Sequence, residues 1–170
     1  MNKNKLKQAI KYYLKTIKLD PKNADAYNEL GVCYLKGGNL EDAQNCFTEA
    51  IKLNKEKAVF YNNLGICFHR LGQYKKAVSA YKKSLALEKN IGQRYVNLAL
   101  SYEALEDYKN AKDSLDKALA LEPENIEYLT LLARLLLKLK DYSQAKILLK
   151  RVLKLDPQNV EAKREILRLK

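Results

Sequence analysis

With one histidine, three cysteines and three prolines in 170 residues, the chain lacks most of what catalytic and metal sites are built from. His69 has no second histidine or cysteine at ligand spacing, so a metal centre has nothing to form on. Cys33, Cys46 and Cys67 are odd in number and suit small buried hydrophobes in a reducing compartment better than a disulfide framework. No Gly-rich phosphate loop, nucleophile elbow or paired-cysteine motif is present. The expectation is therefore a non-enzymatic chain with no cofactor and no metal. Long apolar runs are missing too. The longest, Leu129 to Leu137, is interrupted by Arg134, and the N-terminal Met-Asn-Lys-Asn-Lys lacks the apolar core of a secretory signal. A soluble, cytoplasmic protein without a transmembrane segment is expected.

What the chain has in abundance is periodicity. Leu19, Leu53, Leu87, Leu121 and Leu155 stand 34 residues apart, and the other structural signals repeat with them. Four full units follow without insertion or deletion, at 24–57, 58–91, 92–125 and 126–159. Within each, apolar residues recur three or four apart in two runs, as in Leu64, Ile66, Cys67, Phe68 and Leu71, then Tyr74, Ala77, Val78, Tyr81 and Leu85. Two amphipathic helices per unit result. Short breaker or polar links, Gly37-Gly38-Asn39, Gly72-Gln73, Glu106-Asp107 and Lys140-Asp141, force them antiparallel. Small residues at Gly31, Gly65, Ala99 and Ala133 are expected to face Ala43, Ala77, Ala111 and Ala145, letting the paired backbones approach closely.

Those anchors also carry a resemblance. Tyr27, Tyr61, Tyr95 and Leu129 are followed by Leu30, Leu64, Leu98 and Leu132; the small residues come next, then Tyr34, Phe68, Tyr102 and Leu136. Four alanines and then Phe47, Tyr81, Leu115 and Leu149 complete a pattern that resembles the tetratricopeptide repeat over essentially the whole chain. The resemblance implies an all-α fold, a right-handed superhelical solenoid of antiparallel helix pairs, forming one domain over 1–170. Residues 1–23 would be a lone second helix of a partial repeat and 160–170 a capping helix, with Ile166, Leu167 and Leu169 covering the last pair. On the N-terminal helix, Leu6, Ile10, Tyr13, Leu14 and Ile17 include a face that a missing partner would cover. Self-association there, membership in a larger enzyme or assembly, and a frayed end helix remain open. Pro21, Pro123 and Pro157 hold the family's inter-unit proline place; Lys55 and Lys89 replace it, so those two turns should be softer.

Net charge is +12, distributed by segment as +6 (1–23), −2, +5, −3 and +4 (the four units) and +2 (160–170). Because the sign alternates, no continuous basic stripe tracks a phosphate backbone; nucleic acid or an anionic surface remains an alternative through the second-helix wall, where many lysines fall.

The favoured reading is a scaffold or adaptor that binds an extended or helical peptide segment of a partner protein along its first helices. The register marks Asn28, Val32, Leu35 and Lys36 as exposed there in the first unit; Asn62, Asn63, Ile66, His69 and Arg70 in the second; Val96, Asn97 and Leu100 in the third; Leu131, Arg134 and Lys138 in the fourth. Val32, Ile66 and Leu100 make an apolar stripe ending at Arg134, beside the amides of Asn63 and Asn97. A carboxamide offers both donor and acceptor, so spaced amides can hold a peptide main chain. The pair is similar to the asparagine ladder of O-linked N-acetylglucosamine transferases, with Glu29 and Leu131 breaking it at either side. The five-residue carboxylate clamp of chaperone-binding relatives is matched at one place only, Asn63 in one register or Asn97 in the next, so it is not expected. Lys36, Arg70, Arg134 and Lys138 should attract acidic peptides. Replacing Asn63 and Asn97 together by alanine is expected to weaken a ligand without lowering stability.

Overall fold

The computed structural model describes residues 3–169; Met1, Asn2 and Lys170, which end the expected partial repeat and cap, lie outside the described residues. These residues form ten α-helices and no strand, an all-α helical-repeat solenoid. They cluster into two compact units, Met1–Lys89 and Asn90–Lys170.

The first unit holds α1 (Lys3–Leu19), α2 (Ala24–Gly37), α3 (Leu40–Leu53), α4 (Ala58–Arg70) and α5 (Tyr74–Leu87). Helices α2 and α3 pair, as do α4 and α5, with α1 packed on α2 and α3 on α4. Helix α1 buries no residue completely: Leu6, Ile10, Tyr13 and Ile17 are half-buried, while Tyr12, Leu14 and Leu19 face solvent. Between the pairs sits a core of Leu35, Ala43, Phe47 and Cys67.

The second unit contains α6 (Gly92–Ala104), α7 (Tyr108–Leu121), α8 (Ile126–Lys138), α9 (Tyr142–Leu155) and α10 (Val160–Arg168). Its core of Leu129, Ala133, Leu149 and Val152 is closed by Ala162, Ile166 and Leu169 of the last helix and its end. Leu167, expected to join them, points to solvent at 64 % exposure, on the opposite side of α10.

In the two helix pairs of the first unit, the glycine of the first helix lies against an aromatic ring of the second. A Cβ on Gly31 would lie 2.6 Å from Phe47 Cε1, and one on Gly65 would lie 2.5 Å from Tyr81 Cε1. Each glycine therefore makes room for a buried aromatic ring one helical turn beyond the alanine.

Hairpin turns use one geometry throughout. Gly38 and Gly72 take φ of +86° and +72°, and Glu106 and Lys140 take +60° and +61° at the same place in their repeats. The following amide reaches back to close each helix, as Asn39 N–H does to Tyr34 O (2.9 Å) and Asp107 N–H to Tyr102 O (2.9 Å).

Inter-repeat turns fall into two kinds. Where proline is present, an asparagine caps the next helix: Asn23 Oδ1 accepts from Ala26 N–H, Asn125 Oδ1 from Tyr128 N–H, and Asn159 Oδ1 from Ala162 N–H. Where Lys55 and Lys89 stand, the capping positions are Lys57 and Ile91, and neither gives a side-chain cap.

Candidate functional site

First helices carry the candidate binding residues because their outward positions recur every third or fourth residue, leaving one flank free once the partner second helix is packed. In the first unit that flank belongs to α2 and α4. Lys36 and Arg70 are exposed on it, and Val32, Asn62, Asn63 and Ile66 are half-buried. Asn28 and Leu35, expected in the open, are buried at 4 % and 9 % exposure. Successive first helices cover them: Leu35 joins the inter-repeat core with Cys67, and Asn28 lies under Asn63.

The amides are linked to the protein before any ligand arrives. Asn63 Nδ2 donates to Asn28 Oδ1 at 2.8 Å, and Asn28 Nδ2 donates to Glu29 Oε1 at 2.9 Å. Asn63 Oδ1 keeps no partner among the described residues and remains an acceptor for an incoming N–H. Truncating Asn63 would leave the Asn28 oxygen buried and unbonded, a cost that the expectation of unchanged stability does not include.

Arg70 is also anchored: its Nη1 donates to Leu35 O at 2.6 Å, satisfying an end carbonyl of α2. Lys57 Nζ pairs with Asp25 at 2.6 Å across the same two helices. Val32 and Ile66 pack partly on the core and present their remaining surface to solvent. Together they form a short apolar strip bordered by Asn63 and the cations Lys36 and Arg70. His69, half-buried, stacks edge-on against Tyr74 with centroids 5.1 Å apart, and burial lowers its pKa. No cluster of potential metal ligands occurs among the described residues.

In the second unit, Asn97 and Leu100 on α6 are half-buried, and Val96, expected to be exposed, is buried at 1 %. Gln93 Nε2 donates to Asn97 Oδ1 at 3.4 Å, a long contact. Lys138 reaches Glu103 at 3.4 Å and sits 4.9 Å from the Tyr108 ring centroid; contact with Tyr108, then Glu103, raises its pKa. Arg134 is exposed, has no ion-pair partner among the described residues, and lines a groove of about 280 Å³ with Thr130, Leu137, Leu149, Glu161 and Arg164.

Sequence reasoning missed the Asn28–Asn63 bridge and the Arg70 clasp. Both join residues 35 apart, one more than the repeat, and that offset was available as a signal.

Among the described residues, no helix is long and apolar enough to cross a membrane. No curated protein matches the chain by sequence. Several solved structures match in fold. The crystal structure of MamA aligns at 22 % identity and TM-score 0.86, covering 94 % of this chain and 93 % of that one. YrrB, described as a repeat protein with an unusual peptide-binding site, aligns at 19 % identity and TM-score 0.80, covering 95 % and 83 %. A thermophilic repeat protein of Thermus thermophilus, TTC0263, aligns at 19 % identity and TM-score 0.73, covering 98 % and 91 %. Tetratricopeptide-repeat models match residues 12–45, 58–91 and 102–165, and the chain belongs to the tetratricopeptide-repeat family.

Proposed function

We propose that this chain is a non-catalytic interaction scaffold whose first-helix flank binds an extended or helical segment of a partner protein. The observation that carries the reading is the strip of Val32 and Ile66 on α2 and α4. It reaches solvent beside an amide acceptor on Asn63 and the cations Lys36 and Arg70. Apolar burial would supply affinity, the Asn63 oxygen would accept from the peptide main chain, and the cations would favour acidic neighbours. Asn62 on α4 is a further candidate contact in the first unit, with Asn28 acting through Asn63; in the second unit, taken by itself, Asn97 and Leu100 on α6 and Arg134 on α8 are the candidate contacts. The peptide-binding site named for YrrB supports a peptide as the kind of ligand. Free, buried Cys33, Cys46 and Cys67 support a reducing, cytoplasmic setting.

The test is selection of binders from a random dodecapeptide library, followed by calorimetric titration of each against the wild-type chain and the Val32→Lys, Ile66→Lys variant. The expected result is at least a tenfold loss of affinity in the variant with an unchanged circular dichroism spectrum. Peptides that bind both proteins equally would place recognition elsewhere.

A second reading, docking to an anionic surface, draws on α1. Its six lysines have no acidic residue on the helix and no ion-pair partner among the described residues. Binding to phosphatidylserine vesicles that collapses as salt rises would favour it.

A further inference from the structure

Helix α4 has a second open side. Tyr61, Leu64 and Phe68 lie roughly half a turn around the helix from Asn62, Ile66 and Arg70, so they face away from the proposed peptide-binding flank. They floor a groove of about 260 Å³, walled by Lys76, Ser79, Ala80 and Lys83 of α5. Lys76 Nζ lies 5.5 Å from the Phe68 ring centroid. Neither Lys76 nor Lys83 has an ion-pair partner among the described residues, and α5 carries no acidic side chain.

This combination occurs in one repeat only. Moving the wall positions by one period gives Asp42, Asn45, Cys46 and Glu49 in the preceding repeat, under Tyr27 and Tyr34. The next repeat has Asn110, Asp113, Ser114 and Lys117 beside Tyr95 and Tyr102; the fourth has Gln144, Ile147, Leu148 and Arg151 beside Leu129 and Leu136. The 58–91 repeat alone joins an aromatic floor to two lysines and no acid.

We infer that the α4–α5 groove is a docking site for an acidic peptide segment bearing one large apolar side chain. That side chain enters over Tyr61, Leu64 and Phe68, and carboxylates on either side of it pair with Lys76 and Lys83. The lysines are seven residues apart on one helix face, about 10 Å along the axis. An extended peptide covers that span in about three steps at ~3.3 Å each, so an acid next to the apolar residue on one side and an acid two places beyond it on the other reach the two lysines. Desolvation of the aromatic floor supplies the attraction that charge alone does not. Charge complementarity rejects peptides with basic flanks.

The experiment is a fluorescence-anisotropy titration of the whole chain with the fluorescein-labelled heptapeptide Gly-Glu-Asp-Phe-Asp-Glu-Gly. Two control peptides replace its Phe by Ala, or its acids by Asn and Gln. Binding is expected to fall at least tenfold with either control. It should fall equally with the Lys76→Glu, Lys83→Glu variant and with Ser79→Trp, which fills the groove from an exposed position; circular dichroism confirms that both stay folded. Lys36→Glu and Val32→Lys, on the other flank, should leave it unchanged.

No binding by the wild-type chain overturns the inference. So does binding that ignores the Phe, which would be general attraction to lysine, or binding that survives Ser79→Trp. Loss with Lys36→Glu or Val32→Lys alone would assign the heptapeptide to the first-helix flank, supporting that reading and removing this one.

Discussion

A single missing methyl group sets the spacing of each helix pair in the first unit. Tyr81 is buried, and a new Cβ at Gly65 would lie 2.5 Å from its Cε1, so the ring has to shift to admit it. Gly65→Ala should therefore cost about 1–3 kcal/mol by overpacking, read as a lowered urea midpoint. An unchanged midpoint would mean that the ring moves freely. Asn63→Ala should cost a comparable ~1–3 kcal/mol by leaving Asn28 Oδ1 buried and unbonded, and Asn28→Ala in the same chain should recover part of it. His69 adds a pH dependence of known sign. Burial lowers its folded pKa below 6.5, so the unfolded chain binds more protons in the interval beneath that value. Stability is fully present above pH 6.5 and falls as pH drops through the interval; His69→Gln should flatten that part of a pH–melting curve, whereas a slope of opposite sign would contradict the burial.

Helices and turns were largely legible in the sequence because a 34-residue repeat presents the same local problem several times. Glycine at 38 and 72 announces a left-handed residue, and Glu106 and Lys140 inherit the conformation by position rather than by type. The exposure of the first helices was less legible. Asn28 and Leu35 occupy outward places on α2, yet Asn63 and Cys67 of the next first helix lie over them, and an amphipathic wheel drawn for one helix has no place for the following repeat. The turns after α3 and α5 illustrate how elements differ under a common fold. Asn54 and Glu88 already hold extended backbone at φ −145°, ψ 107° and φ −148°, ψ 111°, the region required before proline. Lys55→Pro and Lys89→Pro should each stabilise by about 0.4–1 kcal/mol, chiefly by restricting the unfolded chain. Either substitution lowering the melting temperature would show that its turn differs from those holding Pro21, Pro123 and Pro157.

For the whole molecule, the division between units falls at Lys89, inside the Glu88–Ile91 link that lacks both proline and a side-chain cap. The link combines missing turn reinforcement with an exposed lysine. Brief trypsin treatment should cut after Lys89 before any other lysine, giving fragments 1–89 and 90–170, and Lys89→Pro should delay that cut. First cleavage within α1 or α5 instead would locate the weakest backbone in those lysine-rich helices. Sequence periodicity gave no warning of such a division, because the repeat runs through 88–91 without a change of phase.

The three thiols belong to the first unit alone. Cys33, Cys46 and Cys67 are free and buried, and burial, followed by the charge of Asp42, pushes the Cys46 thiol up to about 11. A thiol held protonated and out of solvent reacts only when its surroundings open. The native chain therefore contains its own one-sided clock: the rate at which a soluble disulfide reagent consumes these sulfurs reports how often residues 1–89 breathe, while 90–170 pass unseen.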